Sequence, residues 1–118
     1  MKRNICERTF GFSVRIVGLC RRLDELSGVG RTLSRQLLRS GTSIGANVEE
    51  AQGGQSRADF ISKYSVACKE ARETHYRLRL LVATGIVTED NLASLIQESD
   101  ELIAILTTII KNTKANTQ

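Results

Sequence analysis

Four times between Phe12 and Ile109 the apolar residues step along the chain by three and four, and no proline interrupts any of its 118 residues. Such steps place side chains on one face of a helix, because a helical turn takes 3.6 residues. Proline breaks helix interiors and punctuates turns, so its absence fits a few long helices joined by short links. Aromatics are only 4% and tryptophan is absent, a poor alphabet for a turn-rich sandwich or barrel. The chain is expected to be all-α. A core at this length can bury roughly 65% of the unfolded surface, so a single domain without staples is expected.

The last segment is the most regular. Leu92, Leu95, Ser99, Leu102, Leu106 and Ile109 form its stripe, widened by Ile96, Ile103 and Ile110. Thr88 stands where an N-cap belongs, with Glu89 and Asp90 in the first turn, where the helix dipole favours negative charge. A helix over roughly 89–112 follows, and the polar tail NTKANTQ is expected to fray. Upstream, Phe60, Tyr64, Ala67, Ala71, Thr74, Leu78 and Leu81 predict a helix over roughly 57–84, ending at Gly85, the usual residue for a left-handed terminus.

Leu33, Leu37, Gly41, Ile44, Val48 and Ala51 predict another over roughly 31–52, closed by Gly53 and Gly54. Gly41 and Gly45 each disfavour a helix by about 1 kcal/mol relative to alanine, so retaining both implies a neighbouring backbone close by. Phe12, Ile16, Leu19, Leu23 and Leu26 give a weaker first helix over roughly 7–26. Short links turn successive helices back on one another, which predicts an antiparallel up-down-up-down four-helix bundle in one domain, 1–118.

Several kinds of chemistry are excluded as expectations. No apolar run approaches the ~18 residues of a membrane span. Glu7 and Arg15 interrupt the region where a signal peptide would be apolar. Cys6, Cys20 and Cys68 are odd in number and scattered, which fits reduced thiols in a cytoplasm and no disulfide framework. His75 is the only histidine, and seven helical residues separate it from Cys68, roughly 10 Å along the axis and beyond hydrogen-bond reach. Metal-ligand spacings are missing, and GTSIGANVEE lacks the ending of a phosphate-binding loop. No catalytic residue, metal, cofactor or small-molecule substrate is expected, and the chain is read as a non-enzyme.

Glu49 and Glu50 point about 100° apart on a helix and cannot act as one acid/base couple. Ser43, Asn47 and Glu50 are read instead as a structural polar network fastening neighbouring helices and their register.

Basic residues carry the functional signal. Residues 1–39 hold nine basic side chains against three acidic ones, a net of +6, while the remainder is −2. Arg31, Arg35 and Arg39 recur every four residues along one helix, and Lys69, Arg72 and Arg79 form a second stripe with Tyr76 among them. Fixed arginine stripes can follow the phosphates of RNA or DNA. Equally, basic helices could meet the acidic last helix (Glu89, Asp90, Glu98, Asp100, Glu101) between subunits. Val66, Leu80 and Ile105 lie off the core stripes, which points to further surface buried on self-association. So few aromatics argue against a base-stacking single-strand platform.

Ser43, Asn47, Glu50 and Ala51, followed after a polar break by Phe60, Tyr64, Ala67, Glu70 and Glu73, make a combined pattern. It has the form S-x-x-x-N-x-x-E-A/G, then F-x-x-x-L/Y-x-x-A-x-x-x-x-x-E. Over residues 39–81 the chain therefore resembles the bacterial intervening-sequence proteins, first met in reading frames inside large-subunit rRNA genes. It departs from the commoner version in lacking an aromatic-rich start and a proline near the second helix, and in carrying Arg77 where a tryptophan is frequent. The resemblance implies a left-handed antiparallel four-helix bundle, assembly into a ring such as a homopentamer, and no established enzymatic activity. It also implies nucleic-acid binding, suggested for the family and for related accessory proteins of diversity-generating retroelements.

Overall fold

Asn4 opens the first helix by accepting the Glu7 backbone N–H on its side chain at 2.8 Å, which satisfies one of the donors that every helix start leaves over. In the computed structural model, which describes residues 4–116, four helices follow in order: α1 (Ile5–Leu23), α2 (Val29–Gln52), α3 (Arg57–Ala83) and α4 (Glu89–Ala115). No strand occurs among the described residues. Each helix packs on the next in sequence, and α1 also touches α4 lightly, a pattern that fits a bundle. The long dimension of 50 Å, against 24 and 23 Å across, is what helices of up to 27 residues require at 1.5 Å per residue.

The core is the predicted set of stripes. Phe12, Ile16, Leu19 and Leu23 of α1 are buried with Leu37, Ile44, Val48 and Ala51 of α2. Tyr64, Ala67, Ala71, Thr74, Leu78 and Leu81 of α3 meet Leu92, Leu95, Ser99, Leu102 and Leu106 of α4. Leu33, Phe60 and Ile109 are partly buried at the margins, and the Phe60 ring stacks on Tyr64 with centroids 4.3 Å apart.

Four helix ends differ from expectation by two residues or more, the first being the start of α1, two residues early at Ile5. α1 stops at Leu23 because the chain turns at once, with the Leu26 N–H donating to the Leu23 carbonyl, and Leu26 is left partly exposed. α2 begins two residues early, after Gly28, whose φ of 60° is accessible to glycine. At the other end, α4 does not fray at residue 112 but continues to Ala115: Thr113 bonds the Ile109 carbonyl, and Arg57 at the start of α3 donates to the Asn116 carbonyl. Thr88 does precede α4, although its side chain makes no capping hydrogen bond.

The glycine expectations are met at Gly85 and Gly45, while at Gly41 the close neighbour is a side chain and not a backbone. At Gly85 (φ 76°) the N–H groups of Gly85 and Ile86 donate to the carbonyls of Val82 and Leu81, the paired bonds of a left-handed helix terminus. A Cβ on Gly45 would lie 3.2 Å from the Thr9 backbone oxygen, and one on Gly41 would lie 2.8 Å from Ile16 Cγ2. The close neighbour is therefore α1, seated on the glycine side of α2.

Candidate nucleic-acid interface

Spacing places Arg31, Arg35 and Arg39 on one side of α2, about 6 Å apart per four residues. Each is held differently. Arg31 donates to the Asp24 carbonyl at 3.1 and 3.3 Å and lies 3.9 Å from the Asp24 carboxylate, so it closes the α1–α2 link. Arg39 reaches across to α3 and pairs with Glu70 at 3.1 Å and Glu73 at 3.4 Å. Arg35 is exposed and forms no ion pair among the described residues; it shares an α1–α2 groove with Arg21, Asp24, Ser34 and Leu38.

On α3, Lys69 and Arg72 are exposed and line a groove toward α4 with Thr107 and Ile110. Arg72 also lines the groove toward α2, on the other flank of α3. The Arg79 guanidinium lies over the Tyr76 ring, 5.9 Å from its centroid. The six candidate cations thus do not converge on one cavity. Lys69 and Arg72 come together, Arg35 joins Arg21, and Arg79 joins Tyr76. Arg21 belonged to the basic N-terminal third but carried no spacing signal of its own, and Gln36 and Arg77, which line the α2–α3 groove, carried none.

Beside Arg39, two carboxylates on one face of α3 are driven apart in proton affinity. Burial, reinforced by a hydrogen bond with Glu73, holds Glu70 above the ordinary carboxylate range against the opposing pull of Arg39. That same hydrogen bond holds Glu73 below it, helped by Arg77 and Arg39. Arg39 is therefore a clamp between α2 and α3 as well as a surface cation.

Ser43, Asn47 and Glu50 do not form the expected network. The Ser43 hydroxyl donates to the Arg39 carbonyl at 2.6 Å, the Asn47 amide donates to the Ser43 carbonyl at 2.8 Å, and Glu50 pairs with Lys63 at 3.1 Å. Short polar side chains inside a helix find the carbonyl four residues back before they find each other. Of the three only Glu50 ties neighbouring helices, α2 to α3 through Lys63, and other residues join the helices as well. Thr74 donates to Ser40 at 3.0 Å inside the α2–α3 seam, while Cys20 and Ser34 each meet the other's carbonyl across α1–α2. Arg8 of α1 binds Glu98 and Glu101 of α4 at 2.7 and 2.9 Å.

The off-stripe apolar residues are uneven. Val66 is 40% exposed, whereas Leu80 and Ile105 are half-buried. A larger exposed apolar pair went unread in sequence: Phe10 (62%) and Val14 (57%), one turn apart on α1. Among the described residues no helix is long and apolar enough to cross a membrane.

A family model described as 23S rRNA-intervening sequence protein matches residues 1–108. The chain belongs to that family. Its fold is similar to the crystal structure of a protein of unknown function from the S23 ribosomal protein family of Bacteroides thetaiotaomicron. The two share 44% identity and a TM-score of 0.85 over 92% of this chain and 99% of that one. No curated protein matches the chain. Membership covers all four helices up to the last turns of α4, so the intervening-sequence family and the bundle described above have nearly the same extent.

Proposed function

We propose that this member of the intervening-sequence family is a non-enzymatic, oligomeric cytoplasmic protein that binds the backbone of RNA or DNA, with little reading of sequence. Its working cations are Arg35, Lys69, Arg72 and Arg79, with Arg31 and Arg39 contributing beside their structural partners. The observation that carries this reading is that Arg35, Lys69 and Arg72 are exposed and make no ion pair among the described residues, while acids are abundant elsewhere. A guanidinium left without a carboxylate is available for bidentate contact with phosphate. The connections, of five residues or fewer, favour an antiparallel up-down-up-down course, and a left-handed bundle is the packing we assign to it.

Binding to a labelled RNA hairpin and to duplex DNA across a salt series tests the reading. Each phosphate neutralised contributes about 0.9 to the slope of log affinity against log salt, so Arg35, Lys69 and Arg72 alone predict a slope near 3. Charge reversal of Arg35 and Arg72 together should lower that slope by about 2 and leave the oligomer intact. Absence of binding at low salt refutes the reading.

A second reading rests on Phe10 and Val14, whose exposure on α1 is unusual for side chains of that size. Here the chain is a self-associating module, for instance a homopentamer, and its basic and acidic faces serve subunit contacts. Dissociation of the oligomer by the Arg35 and Arg72 reversals, without any nucleic-acid binding by the parent, favours this reading.

A further inference from the structure

Between α2 and α3 lies a cavity of about 380 Å³, near the lower end of ligand-pocket sizes. On the α3 side Arg72, Tyr76 and Leu80 follow one another at intervals of four, with Arg77 beside them; on the α2 side stand Leu33 and Gln36. Tyr76 is 57% exposed, and the Arg79 guanidinium covers its ring. Arg77 is largely buried, and its Nη1 has no hydrogen-bond acceptor. The nearest carboxylate, Glu73, stands 3.9 Å away, too far for a hydrogen bond, and is already engaged by Arg39 at 3.4 Å. A buried cationic donor without an acceptor is costly, and an incoming acceptor reached by a small rotation of the guanidinium relieves it.

We infer that this groove takes one unpaired nucleotide of a bound strand, its base against Tyr76, Leu33 and Leu80 and its phosphate against Arg72 and Arg77. The inference rests on the backbone-binding reading above and adds a preference for strands with a bulged or looped-out residue. Three features select a nucleotide over a plain anion. An exposed aromatic ring capped by a guanidinium is a stacking surface for a base. Gln36 offers an amide donor and acceptor side by side, as a base edge requires. The apolar walls would contribute nothing to a bare phosphate. The groove carries two guanidiniums against the one carboxylate of Glu73, so it keeps a positive balance for a phosphate.

The test compares two end-labelled RNA hairpins, identical except that one carries a single bulged adenosine in its stem. Affinities come from fluorescence anisotropy with the wild-type protein and Tyr76→Ala. Stacking of a base on an aromatic side chain corresponds to at least a roughly fivefold effect, so the bulged hairpin should bind about tenfold more tightly. Tyr76→Ala should bring it down to the level of the paired hairpin, and circular dichroism should confirm that this exposed position leaves the helices in place. Equal binding of both hairpins overturns the pocket and leaves the backbone reading standing. Failure of both hairpins to bind at low salt overturns the two together. Adenosine monophosphate binding as tightly as the bulged hairpin overturns the strand as source and assigns the groove to free nucleotides. Equal hairpin affinities combined with capture of a labelled glutamate-rich peptide, lost in Arg72→Ala, assign it to an acidic protein segment.

Discussion

Replacing Gly18 and Gly41 by alanine should move stability in opposite directions, although both glycines lie inside helices. In each case alanine gains about 1 kcal/mol from helix propensity and from a less mobile unfolded chain. At Gly18 a new Cβ meets nothing within 4 Å, so Gly18→Ala should stabilise by close to that amount. At Gly41 the same atom would lie 2.8 Å from Ile16 Cγ2, 3.0 Å from Cγ1 and 3.3 Å from Cβ. Ile16 is fully buried and branched at Cβ, so it has no free rotamer into which to retreat, and α1 itself must move away from α2. Overpacking of this kind typically destabilises by 1–3 kcal/mol, which leaves Gly41→Ala a net loss of about 1 kcal/mol. For a chain of this length the two variants should melt apart by roughly 6–12 °C. Urea and thermal denaturation followed by far-ultraviolet circular dichroism, at one protein concentration because assembly would couple to folding, measures the difference. A Gly41→Ala protein as stable as the wild type would refute the argument that this glycine sets the α1–α2 distance.

Three further outcomes follow from the clamps between helices. Arg8→Ala removes the paired hydrogen bonds to Glu98 and the contact with Glu101 that join two lightly touching helices, and should destabilise by about 1 kcal/mol, with faster amide exchange confined to α1 and α4. Glu70 and Glu73 should show opposite pH dependences. Glu73, held low in the folded chain, contributes stability at neutral pH that is lost as pH falls through its depressed value; Glu70, held high, contributes stability at acid pH that is lost as pH rises through its raised value. Relative to the wild type, Glu73→Gln should therefore lose ground, and Glu70→Gln gain it, as urea denaturation is repeated from pH 4 to pH 7. Alkylation with mass-spectrometric readout should modify the partly exposed Cys6 well before the buried Cys20 and Cys68, and equal rates would contradict the packing of α1.

The helices were legible because their information is local. The stripe on α3 from Tyr64 to Leu81 and the terminus at Gly85 depend on residues within a few turns of each other, and both stand where spacing put them. Leu26 shows the limit of periodicity. It extends the α1 spacing by one step, yet the chain has already turned at Asp24, and spacing does not register a turn. The polar tail of α4 failed in the other direction, since a bond from Arg57, far away in sequence, tethers the Asn116 carbonyl. Side-chain pairing between helices was the least legible. Nothing in the local sequence tells Arg35 from Arg39. The difference arises because Glu70 and Glu73 of α3 reach Arg39, whereas Arg35 lines the α1–α2 groove beside Asp24 without forming an ion pair. Ser43, Asn47 and Glu50 looked joined because they share a face, but a shared face does not decide whether a side chain bonds its neighbour or its own backbone.

That distinction between Arg35 and Arg39 bears directly on how the basic N-terminal third can act. Arg8 is held by Glu98 and Glu101, Arg15 donates to Ser94, Arg31 donates to the Asp24 carbonyl, and Arg39 is shared by Glu70 and Glu73. Four of the nine basic side chains in that third are therefore engaged between or at the ends of helices, and among the described residues Arg21, Arg22 and Arg35 are left for a polyanion. If phosphates are bound through that set, two substitutions at equivalent spacing on one helix must separate. Arg35→Gln should lower the salt slope of RNA binding by about 1 with no change in the urea midpoint. Arg39→Gln should lower the urea midpoint, because Glu70 and Glu73 lose their shared cation, while changing the slope by less. The two measurements are independent, one on the complex and one on the free protein. Equal slopes and equal midpoints for the two variants would mean that the ion pairs across α2 and α3 do not govern which arginines are available.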